Sequence, residues 1–402
     1  MAGSPTTRRD FLRRTALAAG GVVAGASGLA ACAGKTGPNR AGPTSPVATT
    51  NTTRPARRAA QNASLDTPEA PSGLLRIANR PGSIGPDTVR TYELATGVTV
   101  DYYEDIVDDA TWVASVDHDL AQHDDIGSDL DILGDAAVSQ LIGAGRLAGL
   151  GASDVPNRTH LRRELANPGY DPKRHRSLPW VAGMAGLAYD PALTGRPVTA
   201  VGDLFDPAFK GRVTMLADLR DGLGMVMLGQ GNSPAHATLA GVTQAVETVG
   251  QARLAGQVAR FTGNADFADL VSGAMVMAQV RSGDMAALRA ANPALQFVVP
   301  AAGSTLFTRD MVVPDTTQNQ VAAESWMNWI YDRANYARLV LAVQATVVLS
   351  DMTAHLAAIS PTLAADPIVN PPAATWARLA VWAALDPRTE ARYGAVYRQV
   401  TG

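Results

Sequence analysis

The chain has 402 residues, enough for two domains, and 46% of them are apolar, enough to bury sizeable cores. Its net charge of −3 is unevenly spread: residues 1–73 carry nine Lys/Arg against three Asp/Glu, leaving 25 against 34 in the remainder, a net of −9. An acidic body argues against a nucleic-acid partner and leans towards cationic ligands, while a single cysteine, Cys32, excludes internal disulfides and multi-cysteine metal sites.

The first elements form an address. Arg8-Arg9 is followed by Phe11-Leu12 and then by an uncharged, Gly/Ala-rich run from Thr15 to Ala33. This is the layout of an export signal of twin-arginine type. Leu29-Ala30-Ala31-Cys32 within it is similar to the bacterial lipobox, in which the cysteine thiol is lipidated and becomes the mature N-terminus. Residues 32–73 are mostly Pro, Thr, Ala, Gly and Arg, too poor in large apolar side chains to offset their ordering entropy. We expect a signal peptide over 1–31, a disordered tether over 32–73, and a body held at the outer face of the cell membrane by lipidated Cys32.

The body reads as alternating strands and helices, the pattern of βαβ units. Strands are expected at 74–79, 98–103 and 130–133, with helices from Asp87, over 110–122 and over 136–144. Ser177 to Tyr189 is uncharged, bounded by Pro191 and studded with Ala and Gly, which suits a buried extended segment passing between two halves of the chain. The pattern then restarts: a helix from Val201, a strand to Leu216, and helical stretches to Leu228 and over 234–257. Strands follow at 275–280, 295–299 and 311–313, and a long helical region covers 319–343.

At this point a family resemblance appears. Thr96-Gly97-Val98-Thr99-Val100, Ser177-Leu178-Pro179-Trp180 through Tyr189, and Asp203-Leu204-Phe205-Asp206-Pro207 with Lys210-Gly211 carry its first part. Arg220-Asp221, Arg260-Phe261-Thr262-Gly263-Asn264, Ser282-Gly283-Asp284 and Phe297-Val298-Val299-Pro300 continue it. In order and spacing these resemble the extracytoplasmic solute-binding proteins of polyamine (spermidine/putrescine) ABC importers, in their actinobacterial lipoprotein branch. The resemblance covers roughly residues 74–360. It implies an α/β, two-lobed periplasmic-binding-protein fold (type II-like), with parallel-rich sheets in both lobes joined by crossover hinge strands. The crossovers are expected near 182–189, 280–284 and 312–315. One lobe would then comprise 74–183 and 281–312, the other 184–280 and 313–402.

A polyamine pocket needs carboxylates for the ammonium groups and aromatic faces over the methylene chain. The resemblance implies ligand contacts at Asp135, Trp180, Asp218, Asp221, Asp284 and Phe307. Helix capping is the competing role for Asp218, Asp221 and Asp284, and core packing that for Trp180. Four positions depart from the family pattern: Arg80 and Arg281 stand for tryptophans, Ala136 for an aromatic, and Arg309, with Asp310 beside it, for an acid. Three arrangements remain open. Arg80, Arg281 and Arg309 bind a small anion; or they pair with Asp135, Asp284 and Asp310 in a self-neutralised cleft; or the loops align a residue or two differently and a polyamine still fits. The implied partners are a small charged solute, an ABC permease and the membrane through the lipid, for a monomer without cofactor.

Rival classes carry less support. The chain has no Gly-x-Ser-x-Gly, His-Glu-x-x-His or phosphate-cradling loop. His118 and His123 lie among aspartates, but their i,i+5 spacing keeps them off one helix face, so a metal site is not expected. An adhesin or assembly factor on the same scaffold is the remaining alternative.

Overall fold

The computed structural model describes residues 71–263 and 267–402. The signal segment 1–31, Cys32, nearly all of the tether and Asn264 lie outside the described residues.

The first lobe begins with strand β1 (Leu74–Ala78), helix α1 (Thr88–Thr96), β2 (Thr99–Tyr103), α2 (Asp109–Gln122), β3 (Leu130–Gly134) and α3 (Asp135–Gly143). Local chemistry sets these bounds. Helix α1 stops where Gly97 takes a left-handed φ of 76°, and α2 starts where Asp108 accepts a hydrogen bond from Thr111 N. Strand β4 (Ser177–Tyr189) is buried along its entire length. It leads to β5 (Val213–Leu216), helices α4 (Gly224–Gly229) and α5 (Leu239–Leu254), β6 (Val258–Thr262), β7 (Met277–Arg281), α6 (Met285–Ala291) and β8 (Gln296–Val298). Strand β9 (Ser304–Val312), helices α7 (Gln320–Ile330) and α8 (Arg333–Val343), β10 (Leu379–Ala380) and α9 (Pro387–Thr401) complete the part of the chain that positions the site.

The strands run in the order β2-β1-β3-β9-β4-β7-β5-β6, with β10 on β9 and β8 on β4. The outer strands pair in parallel, β2 and β3 with β1, β6 and β7 with β5, while the central β3/β9, β9/β4 and β4/β7 pairs are antiparallel. Strand β4 changes partner midway: Ser177–Met184 lie along β9 and Ala185–Tyr189 along β7. It therefore belongs to both sheets, as expected for a crossover.

The register on β9 slips between Pro179 and Val181, making Trp180 the extra residue of a bulge. Pro179 has no N–H to give a ladder, so an irregularity there is inexpensive. The bulged Trp180 is fully buried, stacks on Trp326 of α7 with ring centroids 6.3 Å apart, and donates Nε1 to Ser83 O at 3.0 Å. Trp180 is thus a core residue of the first lobe and not a ligand contact.

The hydrophobic clusters divide the chain differently from the expected boundaries. Leu75, Ile77, Leu130 and Leu178 pack with Trp326, Ile330, Leu339 and Trp376, so much of the segment expected in the second lobe completes the first core. Met285, Leu288 and Leu295 pack with Ala188, Leu270 and Val280, so α6 and β8 belong with the second core and not the first. In a separate cluster of the second lobe, Tyr393 and Tyr397 of α9 pack with Met215, Leu223 and Val249. After β4, the chain returns through the start of β9, where Leu306 enters the first core, and crosses again beyond β10, where Trp382 enters the second. The second and third expected crossovers are accordingly displaced. The helical region expected over 319–343 consists of two helices, separated at Tyr331-Asp332, where the Asp332 carboxylate caps α8.

Candidate functional site

Ligands of open α/β sheets sit outside the carboxyl ends of the parallel strands. Those ends, β1 at Asn79-Arg80, β3 at Gly134-Asp135, β5 at Asp218 and β7 at Arg281, carry most of the expected site residues, and the exposed side of β9 carries the rest.

The first lobe supplies Arg80, Asp135, Phe307 and Arg309. Arg80 reaches sideways: its Nη2 lies 2.5 Å from Asp109 Oδ1 and its Nη1 donates to Val107 O at 3.1 Å. Asp109 also accepts from Gly134 N at 3.1 Å, so it ties the β1 loop to the end of β3. A Cβ on Gly134 would strike that carboxylate. Asp135, in the first turn of α3, is buried, and its carboxyl is pushed up to about 7, chiefly by desolvation. Arg220 opposes that shift, while Asp310 and Asp221 add to it. Arg220 and Asp221 belong to the second lobe. Phe307 and Arg309 alternate with buried Leu306, Thr308 and Asp310 along β9. The Phe307 ring lies over Gly183, where no side chain would fit, and Arg309 Nη1 donates to Ser83 Oγ at 3.4 Å.

Asp310 faces the opposite way. Fully buried, it accepts from Arg174 Nη1 at 2.7 Å and from the Tyr170 hydroxyl at 2.6 Å. It is the centre of a buried polar network in the first lobe, which corrects its expected role as a ligand contact. Neighbouring residues on a strand point to opposite faces, so Arg309 and Asp310 cannot serve one cleft.

The second lobe supplies Asp218, Asp221, Arg281 and Asp284. Asp218 realises its capping role, accepting from the backbone N–H of Arg220 and Asp221, both at 2.9 Å, while half of its side chain remains exposed (49%). Asp221 is buried and accepts from Arg281 Nε at 2.5 Å and from Thr305 Oγ1 at 3.4 Å. Burial pushes its carboxyl up against the pull of Arg281. Asp284 precedes α6 without forming a side-chain cap, and its charge is felt by Arg281. Of the arginines, Arg80 pairs with Asp109 and Arg281 with Asp221, acids that the self-neutralised arrangement does not name for them.

Four contributors went unnoticed in the sequence. Asp109 stands in the Asp108-Asp109 run that opens α2. Arg220 makes a two-pronged contact to Glu390 of α9, Nε–Oε1 3.0 Å and Nη2–Oε2 2.7 Å, and its carbonyl accepts from Trp382 Nε1 at 2.8 Å. The Arg220 guanidinium also lies 5.8 Å from the Trp382 ring centroid. Arg220 lay within a run already singled out, whereas no local pattern points to Glu390, 170 residues away. Among the described residues, no group of three or more His, Cys, Asp or Glu is placed to hold a metal ion. His123 instead lies 3.3 Å from Asp315.

Two lobes share one strand, and both carry charged side chains at their strand ends. The chain belongs to the bacterial extracellular solute-binding proteins, whose family model matches residues 87–371, well over half of it. It is 26% identical over 207 residues to spermidine/putrescine-binding periplasmic protein 1 of Haemophilus influenzae, covering 51% of this chain and 57% of that protein. It is 22% identical over 296 residues to the spermidine/putrescine-binding periplasmic protein of Escherichia coli, covering 73% and 81%. The crystal structure of the spermidine/putrescine ABC transporter substrate-binding protein PotD from Streptococcus pneumoniae shares the fold. It superposes with a TM-score of 0.72 at 18% identity over 82% of this chain and 98% of that one. These relatives are binding proteins, not enzymes.

Proposed function

We propose that this protein captures a small cationic solute, a polyamine of the spermidine/putrescine class, in the cleft between its lobes and delivers it to an ABC permease. The observation that carries this reading is that the strand ends are laid out for cations: Asp135 is a buried acid at the end of β3, and Asp218 and Asp221 of the other lobe already face a guanidinium, that of Arg281. An ammonium group that reaches such an acid gains charge-assisted hydrogen bonds. Phe307, on the same side of β9 as Arg309, offers a ring face for the methylene chain. The relatives named for spermidine and putrescine support the same class. An anion-binding role for Arg80 and Arg281 would require breaking their ion pairs with Asp109 and Asp221.

The twin-arginine run and Cys32 support export followed by lipid anchoring at the outer face of the membrane. Thermal-shift titration against putrescine, spermidine and small dianions tests the ligand class. A cationic ligand at 100 times its dissociation constant should add about 2.7 kcal/mol of stability. Stabilisation by dianions alone would sink the polyamine reading.

A further inference from the structure

Arg281 occupies a particular place. It ends β7 opposite Ala185, the residue at which β4 exchanges β9 for β7, and so stands at the level where the chain passes between the lobes. The next residue fixes this spot, since Ser282 Oγ accepts from Met184 N at 3.0 Å. From there the guanidinium covers the acidic end of the second lobe, with Nε 2.5 Å from Asp221 Oδ2 and Nη2 3.8 Å from Asp218 Oδ1. Its side chain is only 23% exposed, held mostly against the protein by these contacts. Asp221, held from its other side by Thr305 of β9, has little room to turn towards a different cation.

We propose that Arg281 is a built-in counter-cation that fills the acidic subsite of Asp218 and Asp221 and thereby fixes the charge of the solute the cleft accepts. This rests on the cationic-solute reading above and narrows it. With that subsite filled by a guanidinium, Asp135 is the main remaining anchor for an ammonium group. A solute with one or two ammonium groups fits this arrangement. A third would face Arg281 across a dry cleft, where like charges repel strongly. Putrescine is therefore preferred over spermidine.

The test measures the ratio of spermidine to putrescine affinity by titration calorimetry, in the wild-type protein and in Arg281→Gln. Removing the guanidinium opens Asp218 and Asp221 to a further ammonium, and the ratio should rise at least tenfold, equivalent to 1.4 kcal/mol. Arg281→Lys, which keeps the charge, should leave the ratio near the wild-type value. Arg281→Gln/Asp221→Asn, which removes both partners, should lose the gain. If Arg281→Gln alone does not fold, spermidine should restore its melting transition, because ligand binding stabilises the folded state. An unchanged ratio, or no rescue of an unfolded variant, overturns the proposal. Where the wild type still binds putrescine in that case, the polyamine reading stands without it. If neither protein binds either amine, both fall. If only Arg281→Gln binds them, the counter-cation is upheld and the polyamine reading of the wild type is lost.

Discussion

Asp135, proposed above as an anchor for an ammonium group, also has a raised proton affinity. Its carboxyl titrates near 7 because burial disfavours its charge, with Arg220 opposing and Asp310 and Asp221 reinforcing the shift. A raised acid favours the fold when protonated. That contribution is complete below the ordinary value of 3.8 and is lost as pH rises through about 7. Asp135→Asn should therefore melt like the wild type at low pH. Above neutrality it should be more stable, by up to about 4 kcal/mol, in paired denaturant melts. A cation docking on Asp135 must expel its proton, so amine affinity should climb with pH up to neutrality, with proton release visible as a buffer-dependent calorimetric heat. Asp310 is paired with Arg174, and both side chains are almost fully buried. Asp310→Ala strands that guanidinium and should cost about 3–5 kcal/mol in chemical denaturation. The strand-end acids could be found from sequence, because each follows an apolar strand-like run. The partners of the arginines could not: Asp109 and Glu390 lie far from Arg80 and Arg220 in the chain, and nothing local marks them.

At the scale of elements, β4 was fully legible, since a long uncharged run rich in small residues has few other uses. Strand β9 was recognised only at its end. Its Arg309-Asp310 pair looks like a surface loop until Arg174, 136 residues away, is seen to neutralise the buried Asp310. Strand β6, Val258–Thr262, was not assigned from the sequence, because it is short and follows α5 after a turn of only a few residues. Trp180 shows how one irregularity reassigns a residue: the bulge after Pro179 sends the indole into the core. Trp180→Ala should lower stability by about 3–5 kcal/mol. If, instead, it left stability intact and weakened solute binding, the core assignment would be wrong. Gly183 is constrained from the other side by the Phe307 ring. Gly183→Val should displace that ring and weaken amine binding more than it lowers the melting temperature.

At the scale of the whole molecule, the α/β class and the two-lobed plan followed from alternating elements and from a resemblance spread over most of the body. The lobe boundaries did not, because apolar helices such as α7 and α8 suit either core, and only tertiary packing decides between them. The proposed anchor is also tested at this scale. Cys32→Ala should release the protein from the membrane fraction in a fractionation assay, while thermal shifts with amines stay unchanged.

The insertion of β9 between β3 and β4 has a consequence for how the protein is made. A ribosome that has delivered β1 to β4 has not yet delivered the strand that joins β3 to β4. Nor has it delivered α7, α8 and Trp376, which close the first core. The lobe begun first therefore cannot be finished early. Its sheet waits, with the β3 and β4 edges unpaired, until most of the chain has emerged, and during that interval the exposed edges are open to wrong partners. Pulse proteolysis of stalled nascent chains should find the first lobe protected only after residues beyond Trp376 have left the exit tunnel.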